Sequence, residues 1–469
     1  MPPHESLPDL RAGPEGSSPR SLPRRLGLWS AAAVLVGSTI GSGIFRVPST
    51  VAADVGTVGS LVLLWILGAA IVVCGALTLS ELATLVPEEG GVYVYVREAF
   101  GPLPAFLFGW TEILLIRPSA LGALAMVFAG YTGTFAHLSD TGIRVVAAAA
   151  IAIVGATNIR SVVWGASLEN VTTAAKVLAL VALVAVAFLF GGAGGGGALA
   201  SPLRFEPTTW GGFGVALIAV LWAYDGWADL TFMAGEVRDP SRTLPRALLG
   251  GTLAIVVIYL LVNGAYLYLL PMDRMAGSEL VAADAATVVF GHGGAAIVAA
   301  LVMLSTFGSL NGSMMTGPRI FWAMADDGLF FRPVAAVHRT WRTPWVAVAL
   351  ASALGIGYVS FRTFEQLADA FILGIWPFYA LAVAAVFVLR RRRPDAHRPF
   401  RTPGYPVVPL VFLLASLGLL ANATIQQPTS TLLGFGLILL GAPVYWLWRG
   451  PGGAGGGRNR PPASDGTEA

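Results

Sequence analysis

Lys176, Glu112, Arg117, Asp225 and Asp229 all fall inside long apolar runs. An ionisable group there costs about 2.5–3.5 kcal/mol on insertion scales, so each marks a candidate functional position. Lys176, in "ENVTTAAKVLAL", is the only lysine of the chain. Well inside its run, it can fill a cation site permanently as an ammonium, or take up and release a proton. A lysine reaching out to an interface would sit nearer an end. Asp225, in "LWAYDGWADL", can meet the ammonium of a ligand or cap a second half-helix. Asp229 follows one turn on, where it can face water. Glu112 and Arg117 are five residues apart, not the three or four that bring helix side chains together, so their partners are expected on other helices.

Backbone groups can do chemistry too. "GSTIGSGIF", residues 37 to 45, interrupts a spanning run with three glycines among hydroxyl-bearing residues. Each glycine lowers helix propensity by about 1 kcal/mol relative to alanine. If the helix unwinds at Gly41, Ser42 and Gly43, the N–H groups that start its second half form an anion site at a positive dipole end, suited to a carboxylate. Carbonyls released at the ends of the first half-helices would accept from an ammonium or coordinate a cation. A zwitterionic amino acid fits both. Close helix packing by small residues is the other reading of these glycines. "LWAYDGWADL" interrupts the sixth apolar run in the same way, five runs after the first, which favours a ligand site between two matched breaks. Trp222 precedes the second break and could lie over the site as a lid. Trp376 and Asn311 are further gate or pocket candidates, Asn311 serving equally as a hydrogen bond between helices. Arg46, just after the first break, could line an outer vestibule.

The chain that positions these residues has 469 residues, 55% hydrophobic and 12% charged, with a mean hydropathy of +0.72. Such a composition belongs to polytopic membrane proteins. About twelve runs meet the ~20-residue length of a bilayer crossing. They lie near 27–52, 58–86, 101–135, 143–158, 161–190, 212–235, 243–270, 286–325, 344–361, 364–389, 405–423 and 430–448. With the N-terminus inside, 22 of the 29 Lys and Arg residues fall on inside tails, loops and helix ends. Only Arg144, Arg204, Arg274 and Arg362 fall outside, which places both termini in the cytoplasm of a cell membrane. The cluster Arg390 to Arg393, with Arg398 and Arg401, then reads as a topology anchor touching anionic lipid. Residues 1–25 and 449–469 are expected to be disordered tails. Between them, 26–200 and 201–390 would be two inverted repeats of five helices, with two more helices over 391–448.

Enzymatic chemistry finds no support. The five histidines are scattered, no Cys/His spacing suits a metal, and no P-loop is present, so no cofactor is expected. Cys74, the single cysteine, excludes an internal disulfide.

Taken together, "GSTIGSGIF", "WTEILLIRPSA", "WAYDGWADL" followed by "GEVRDPSRTLPRA", "FGSLNGSMMTGPRIFWAMADDG" and "RRRRPDAHRPFRTPGYPVVP" resemble the amino acid-polyamine-organocation superfamily, and within it the L-type amino acid transporter group. The resemblance covers roughly residues 27 to 448. It implies an all-α LeuT-like fold with broken helices 1 and 6, and alternating access to a central amino acid site. It implies that the segment from Ser38 to Ile44 (Thr39, Ile40, Gly41, Ser42, Gly43, Ile44) holds the α-carboxylate. It places the amino group at Trp222, Ala223 and Tyr224, with Asp225 and Gly226 beside them. Trp222 matches an aromatic gate. Lys176 matches a lysine that stands in for sodium, implying a sodium-independent exchanger or proton-coupled permease for neutral L-amino acids. A cationic amino acid or polyamine substrate is the alternative, and a membrane-embedded amino acid sensor the alternative of another class. Animal members of the group join a heavy chain through a cysteine between helices 3 and 4. The corresponding "AHLSDTGIRV" has none, so no disulfide-linked heavy chain is expected.

Overall fold

In hydrocarbon a backbone must satisfy its own N–H and C=O groups, and apolar runs of this length do so as helices. The structure is a computed structural model that describes residues 22–133, 135–190, 198, 210–278 and 280–449. Most of both expected tails, and Arg204, lie outside the described residues. Among those described, ten helices are long and apolar enough to cross a membrane. The protein is an all-α polytopic membrane protein.

Helix α1 (Leu28–Thr39) and α2 (Gly43–Val55) form the first, broken span. Next come α3 (Val58–Leu85), the short α4 (Val92–Phe100), and α5 (Pro102–Thr111), which runs through a π-turn at Glu112–Ile116 into α6 (Arg117–Thr132). After α7 (Asp140–Arg160) and α8 (Val162–Phe190), α9 (Trp210–Tyr224) is the shortened sixth span. The chain continues through α10 (Pro240–Leu269), α11 (Met272–Ala276), α12 (Val281–Phe290), α13 (Gly294–Asp326), α14 (Trp345–Phe361), α15 (Phe364–Arg392), α16 (Val407–Gln426) and α17 (Pro428–Arg449). Exposed leucines on α8, α16 and α17, such as Leu178, Leu414 and Leu433, give an apolar outer surface suited to acyl chains.

Two expected spans are built differently. The run at 286–325 is not one helix: α12 ends at Phe290, and Gly291 turns the chain with φ +65°, a conformation that favours glycine. The run at 212–235 has no second α-helical half. After Tyr224 it passes into turns and two short 3-10 segments, Asp229–Phe232 and Ala234–Glu236. Asp225 therefore caps no half-helix.

The two breaks meet. A Cβ on Gly43 would lie 2.5 Å from Ala223 Cα, so the start of α2 rests directly on α9. Gly226, at φ +111°, would place a Cβ 2.7 Å from Thr39 N. Glycine is required at both points, by close approach at the first and by close approach and backbone conformation at the second.

One face of the bundle is tied by ions. Glu81 on α3 accepts from Arg390 at 2.9 and 2.7 Å and from the Thr402 amide at 2.7 Å. Arg393 meets Glu98 at 2.6 Å, Arg97 joins Asp327 and Glu88, and Arg392 donates to Ala99 O at 2.8 Å. The expectation that this arginine cluster serves lipid is thus revised: four of its members, Arg390, Arg392, Arg393 and Arg398, bind protein groups, because α15 ends beside the acidic ends of α3 and α4. Further in, Arg319 on α13 pairs with the buried Glu236 at 2.7 Å. The Arg25 and Leu26 amides donate to Glu236 O, and Arg238 N donates to Leu26 O, so the segment before α1 is clipped across the same face. The opposite face opens into a cavity of about 440 Å³ whose lining includes Arg46, Tyr131, Asp140, Arg144 and Phe364.

Glu89, in the turn between α3 and α4, packs its carboxylate where a Gly235 Cβ would be. Burial first, then the neighbouring Glu236 carboxylate, push the Glu89 carboxyl up to about 7. A carboxyl raised in the closed state binds its proton more tightly there than after the face opens to water. Its contribution to closure is complete below its ordinary value of 4.5 and is lost as pH rises through about 7. Opening of this face is expected to become easier across that window. The check is the rate at which a water-soluble maleimide labels Leu26→Cys in a Cys74→Ala background, with Glu89→Gln expected to flatten the pH dependence.

Candidate functional site

Breaking α1 after Thr39 releases carbonyls that no later amide of the same helix can claim. Lys176 claims them. From α8 its Nζ reaches Gly37 O and Ile40 O at 2.8 Å each, Ser305 O at 3.0 Å and Ser309 Oγ at 3.1 Å. Ser309 donates to Gly37 O at 2.7 Å and Ser305 to Ile40 O at 2.8 Å. Tyr259 on α10 donates to Thr39 O at 2.9 Å. Three helices therefore complete the hydrogen bonds of the broken one. The expectation that carbonyls at this end receive a ligand ammonium is corrected for Gly37, Thr39 and Ile40, which already hold protein donors.

Beyond the break, α2 begins at Gly43, and the first amides of a helix have no preceding carbonyl within it. Gly43 there borders a central pocket lined also by Ser38, Thr39, Gly41 and Ser42 from the first break, and by Trp222, Asp225, Gly226 and Asp229 from the second. Arg117, Ala120 and Leu124 on α6, Ser313 on α13 and Phe371 on α15 close it. Ser42 also lines the outer cavity, so the two spaces adjoin. Trp222 stands edge-on to Phe371, ring centres 5.1 Å apart, at this pocket.

Arg117 and Glu112 do pair, against expectation. Arg117 Nε donates to Glu112 Oε1 at 2.8 Å, and its Nη2 lies 2.6 Å from the same oxygen. The reason is the π-turn between them, whose i→i+5 repeat places residues five apart on one side. The guanidinium also donates to Ser313 Oγ at 2.7 Å and occupies space that a Gly317 Cβ would need. Asp225 accepts from Tyr379 on α15 at 3.0 Å, and Asp229 from Thr316 on α13 at 3.0 Å. An arginine, two aspartates and unwound backbone thus surround one small space. These groups are of the kinds that pair with a carboxylate and with an ammonium.

Of the residues expected at the site, Thr39, Gly41, Ser42, Gly43, Trp222, Asp225 and Gly226 line the pocket. Ile40, Ile44, Ala223 and Tyr224 are buried beside it, Tyr224 against Trp65 and Tyr259. Trp376 is elsewhere, stacked on Phe412 of α16 at 5.7 Å. Asn311 is also off the pocket, bonded to Asn158, Gly165 O and Glu169. Ser305, Ser309 and Ser313 were missed, although their four-residue spacing puts all three on one side of α13. Phe371 and Leu124 gave no signal beyond being apolar in apolar runs.

Known sequences carry the same pattern. That of the family described as amino acid permease matches residues 26–448. The serine/threonine exchanger SteT of Bacillus subtilis is 31% identical over 428 residues, 91% of this chain and 97% of that protein. The b(0,+)-type amino acid transporter 1 of Mus musculus is 30% identical over 435 residues, covering 91% and 88%. The cystine/glutamate transporter of Homo sapiens is 29% identical over 447 residues, covering 94% and 89%. With broken helices, a pocket at their crossing and a family match over nearly its whole length, this chain belongs to the amino acid permease family.

Proposed function

We propose that the protein carries L-amino acids across a cell membrane by alternating access, without sodium, as an exchanger or a proton-coupled permease. The observation that carries this is the pocket at the crossing of the two breaks, adjoining a cavity on one face while the other is closed by ion pairs. The substrate carboxylate meets the first amides of α2, and its ammonium meets the end of α9 beside Asp225. Lys176 fills with four oxygens the place a coupling metal cation would take, which supports sodium independence. Ala120, Leu124, Phe371 and Trp222 give the pocket an apolar wall, which supports neutral side chains. The crossing of the first and sixth spans supports a division into repeats over 26–200 and 201–390. We place the ion-paired face in the cytoplasm, since it gathers Arg390 to Arg393.

A second reading has its own observation. Asp225 and Asp229 line the pocket with Arg117 as the one basic side chain beside them, and Arg117 is committed to Glu112. A cationic side chain would balance them.

Uptake of single radiolabelled amino acids and polyamines into proteoliposomes, with and without internal amino acid, sodium or a pH gradient, tests the reading. Accumulation of neutral amino acids without sodium is expected; ligand binding without accumulation under any gradient would leave a sensor. Lys176→Ala removes bonds from a charged donor worth about 1.5–3 kcal/mol each, so exchange should fall at least about tenfold while folded protein is still recovered. Unchanged exchange would remove Lys176 from the mechanism. Trp222→Ala should alter KM or turnover with little change in yield, and wild-type kinetics would reduce Trp222 to packing. Asp225→Asn separates the two substrate readings, since it should spare neutral uptake and depress cationic uptake by about tenfold or more if a cation is the substrate.

A further inference from the structure

The acceptors around Lys176 favour its keeping a proton in this arrangement. Four oxygens surround Nζ, and the Ser309 hydroxyl hydrogen is itself directed to carbonyls of α1. An ammonium supplies three hydrogens to these acceptors. A neutral amine would keep two of those hydrogens, and its lone pair would find a donor only if the Ser309 hydroxyl turned away from Gly37 O and Ile40 O. Lys176 is best satisfied as an ammonium tether, so a transported proton is better carried by another group.

Glu169 stands two turns earlier on the same side of α8 and is completely buried. Its two carboxyl oxygens are unequal. Oε2 accepts from Asn311 Nδ2 at 2.7 Å, and that amide is oriented by Asn158 donating to its Oδ1 at 2.9 Å. Oε1 has only the Thr173 hydroxyl, 3.5 Å away, whose hydrogen is engaged by Ala33 O at 3.2 Å. Oε1 can therefore carry a proton and donate it to Thr173 Oγ1, while as a carboxylate the group faces the Lys176 charge. Both forms fit one geometry. The charged groups acting on Glu169 are Lys176 from α8 and Asp229 from the turn after α9. What α1, α7 and α13 pack against it, Gly37, Ser38, Asn158 and Asn311, does not titrate.

The same oxygen lies near Ser38, a residue of the pocket wall. A Cβ on Gly312 would meet Ser38 Oγ at 2.5 Å and Glu169 Oε1 at 3.1 Å, and Ser38 lines the central pocket. We propose that Glu169, rather than Lys176, is the proton-coupling residue: it takes a proton at Oε1 from water in the pocket past Ser38, and releases it to water on the ion-paired face once the pocket opens there. One proton enters and the same proton leaves, with no other group changed. Glu169 touches no substrate and acts through the first break, against which it packs at Gly37.

This inference rests on the reading of the protein as an amino acid transporter, and the experiment separates the two. Wild type, E169Q, E169D and K176A are reconstituted into vesicles loaded with a pH-sensitive dye, and proteinogenic L-amino acids are added singly outside. Wild type should acidify the lumen as it takes up substrate, with uptake rising as external pH falls by at most about tenfold per unit. E169Q should exchange amino acids within about twofold of wild type, with no acidification and a flat pH profile; K176A should lose exchange and acidification together. Acidification and pH dependence retained in E169Q would overturn the proposal. So would wild-type exchange with neither property, although amino acid transport would stand. No transport of any amino acid by folded wild type would sink the transport reading itself. Should E169Q fail to fold, E169D decides: its carboxyl sits one methylene back from Asn311, and the midpoint of the pH profile must move by about half a unit or more, an unmoved midpoint overturning the proposal.

Discussion

A helix interrupted in mid-membrane depends on whatever completes its hydrogen bonds, and here that is the ammonium of Lys176. Each unsatisfied backbone group in hydrocarbon costs several kcal/mol, as does an uncompensated charge. Bringing the two together resolves both: the released carbonyls of Gly37 and Ile40 become the solvation shell of the lysine, with Ser305 and Ser309 filling the remaining directions. Neither would be tolerated alone. Because one ammonium joins α8 to carbonyls of both the first break and α13, it adds a directional charged tether to the hydroxyl and packing contacts that hold the three together.

Elsewhere the site is fixed by absence of side chain. Gly43 lets α2 lie on Ala223, and Gly226 lets the second break pass Thr39. The two faces of the bundle are held in contrasting ways. On one, arginines from α13 and α15 clamp glutamates of α3, α4 and the chain before α10, and on the other a cavity stands open between α2, α6, α7 and α15. Ion pairs that reach water can be exchanged for hydration at modest cost, whereas packed apolar surface cannot. Arg393–Glu98 reaches water and can be exchanged in this way, while opening the face must also hydrate the buried Arg319–Glu236 pair, at greater cost.

Much of this was legible in the residue order. Hydropathy located the spans, because length and apolarity are set by the bilayer, and the glycines of "GSTIGSGIF" and "LWAYDGWADL" located both breaks. What escaped depended on local geometry that composition does not encode. Gly291 splits the run at "GHGG", residues 291 to 294, a glycine cluster close enough to one end of the run that the apolar stretch after it is still long enough to span alone. The second half of the sixth span winds as 3-10 turns, whose side-chain repeat differs little from an α-helix over so few residues. Trp376 and Trp222 have the same chemistry and neighbouring company, and only the packing of α16 sends one to a stack with Phe412 and leaves the other at the pocket. The partnership of Glu169 with Asn311 joins residues 142 apart and left no local trace.

Glu112 and Arg117 show how a small departure from regular geometry shapes the central pocket. On an α-helix the five-residue spacing points the two side chains apart, and the guanidinium would enter the pocket as an uncommitted cation. The π-turn brings Glu112 round to accept from it, and Ser313 takes a further donor, so the arginine lines the pocket already hydrogen-bonded. Asp225 and Asp229 are treated alike, each held by a hydroxyl from α15 or α13. A carboxylate entering beside an uncommitted buried guanidinium would gain the full strength of a charge-assisted bidentate bond and leave slowly. Side chains committed to the protein still shape the field of the pocket, and on the proposed reading the substrate carboxylate meets backbone amides at the start of α2, whose bonds are individually modest. Binding that is specific in geometry but limited in strength is what a carrier requires, because the same site must release on one face what it has captured on the other.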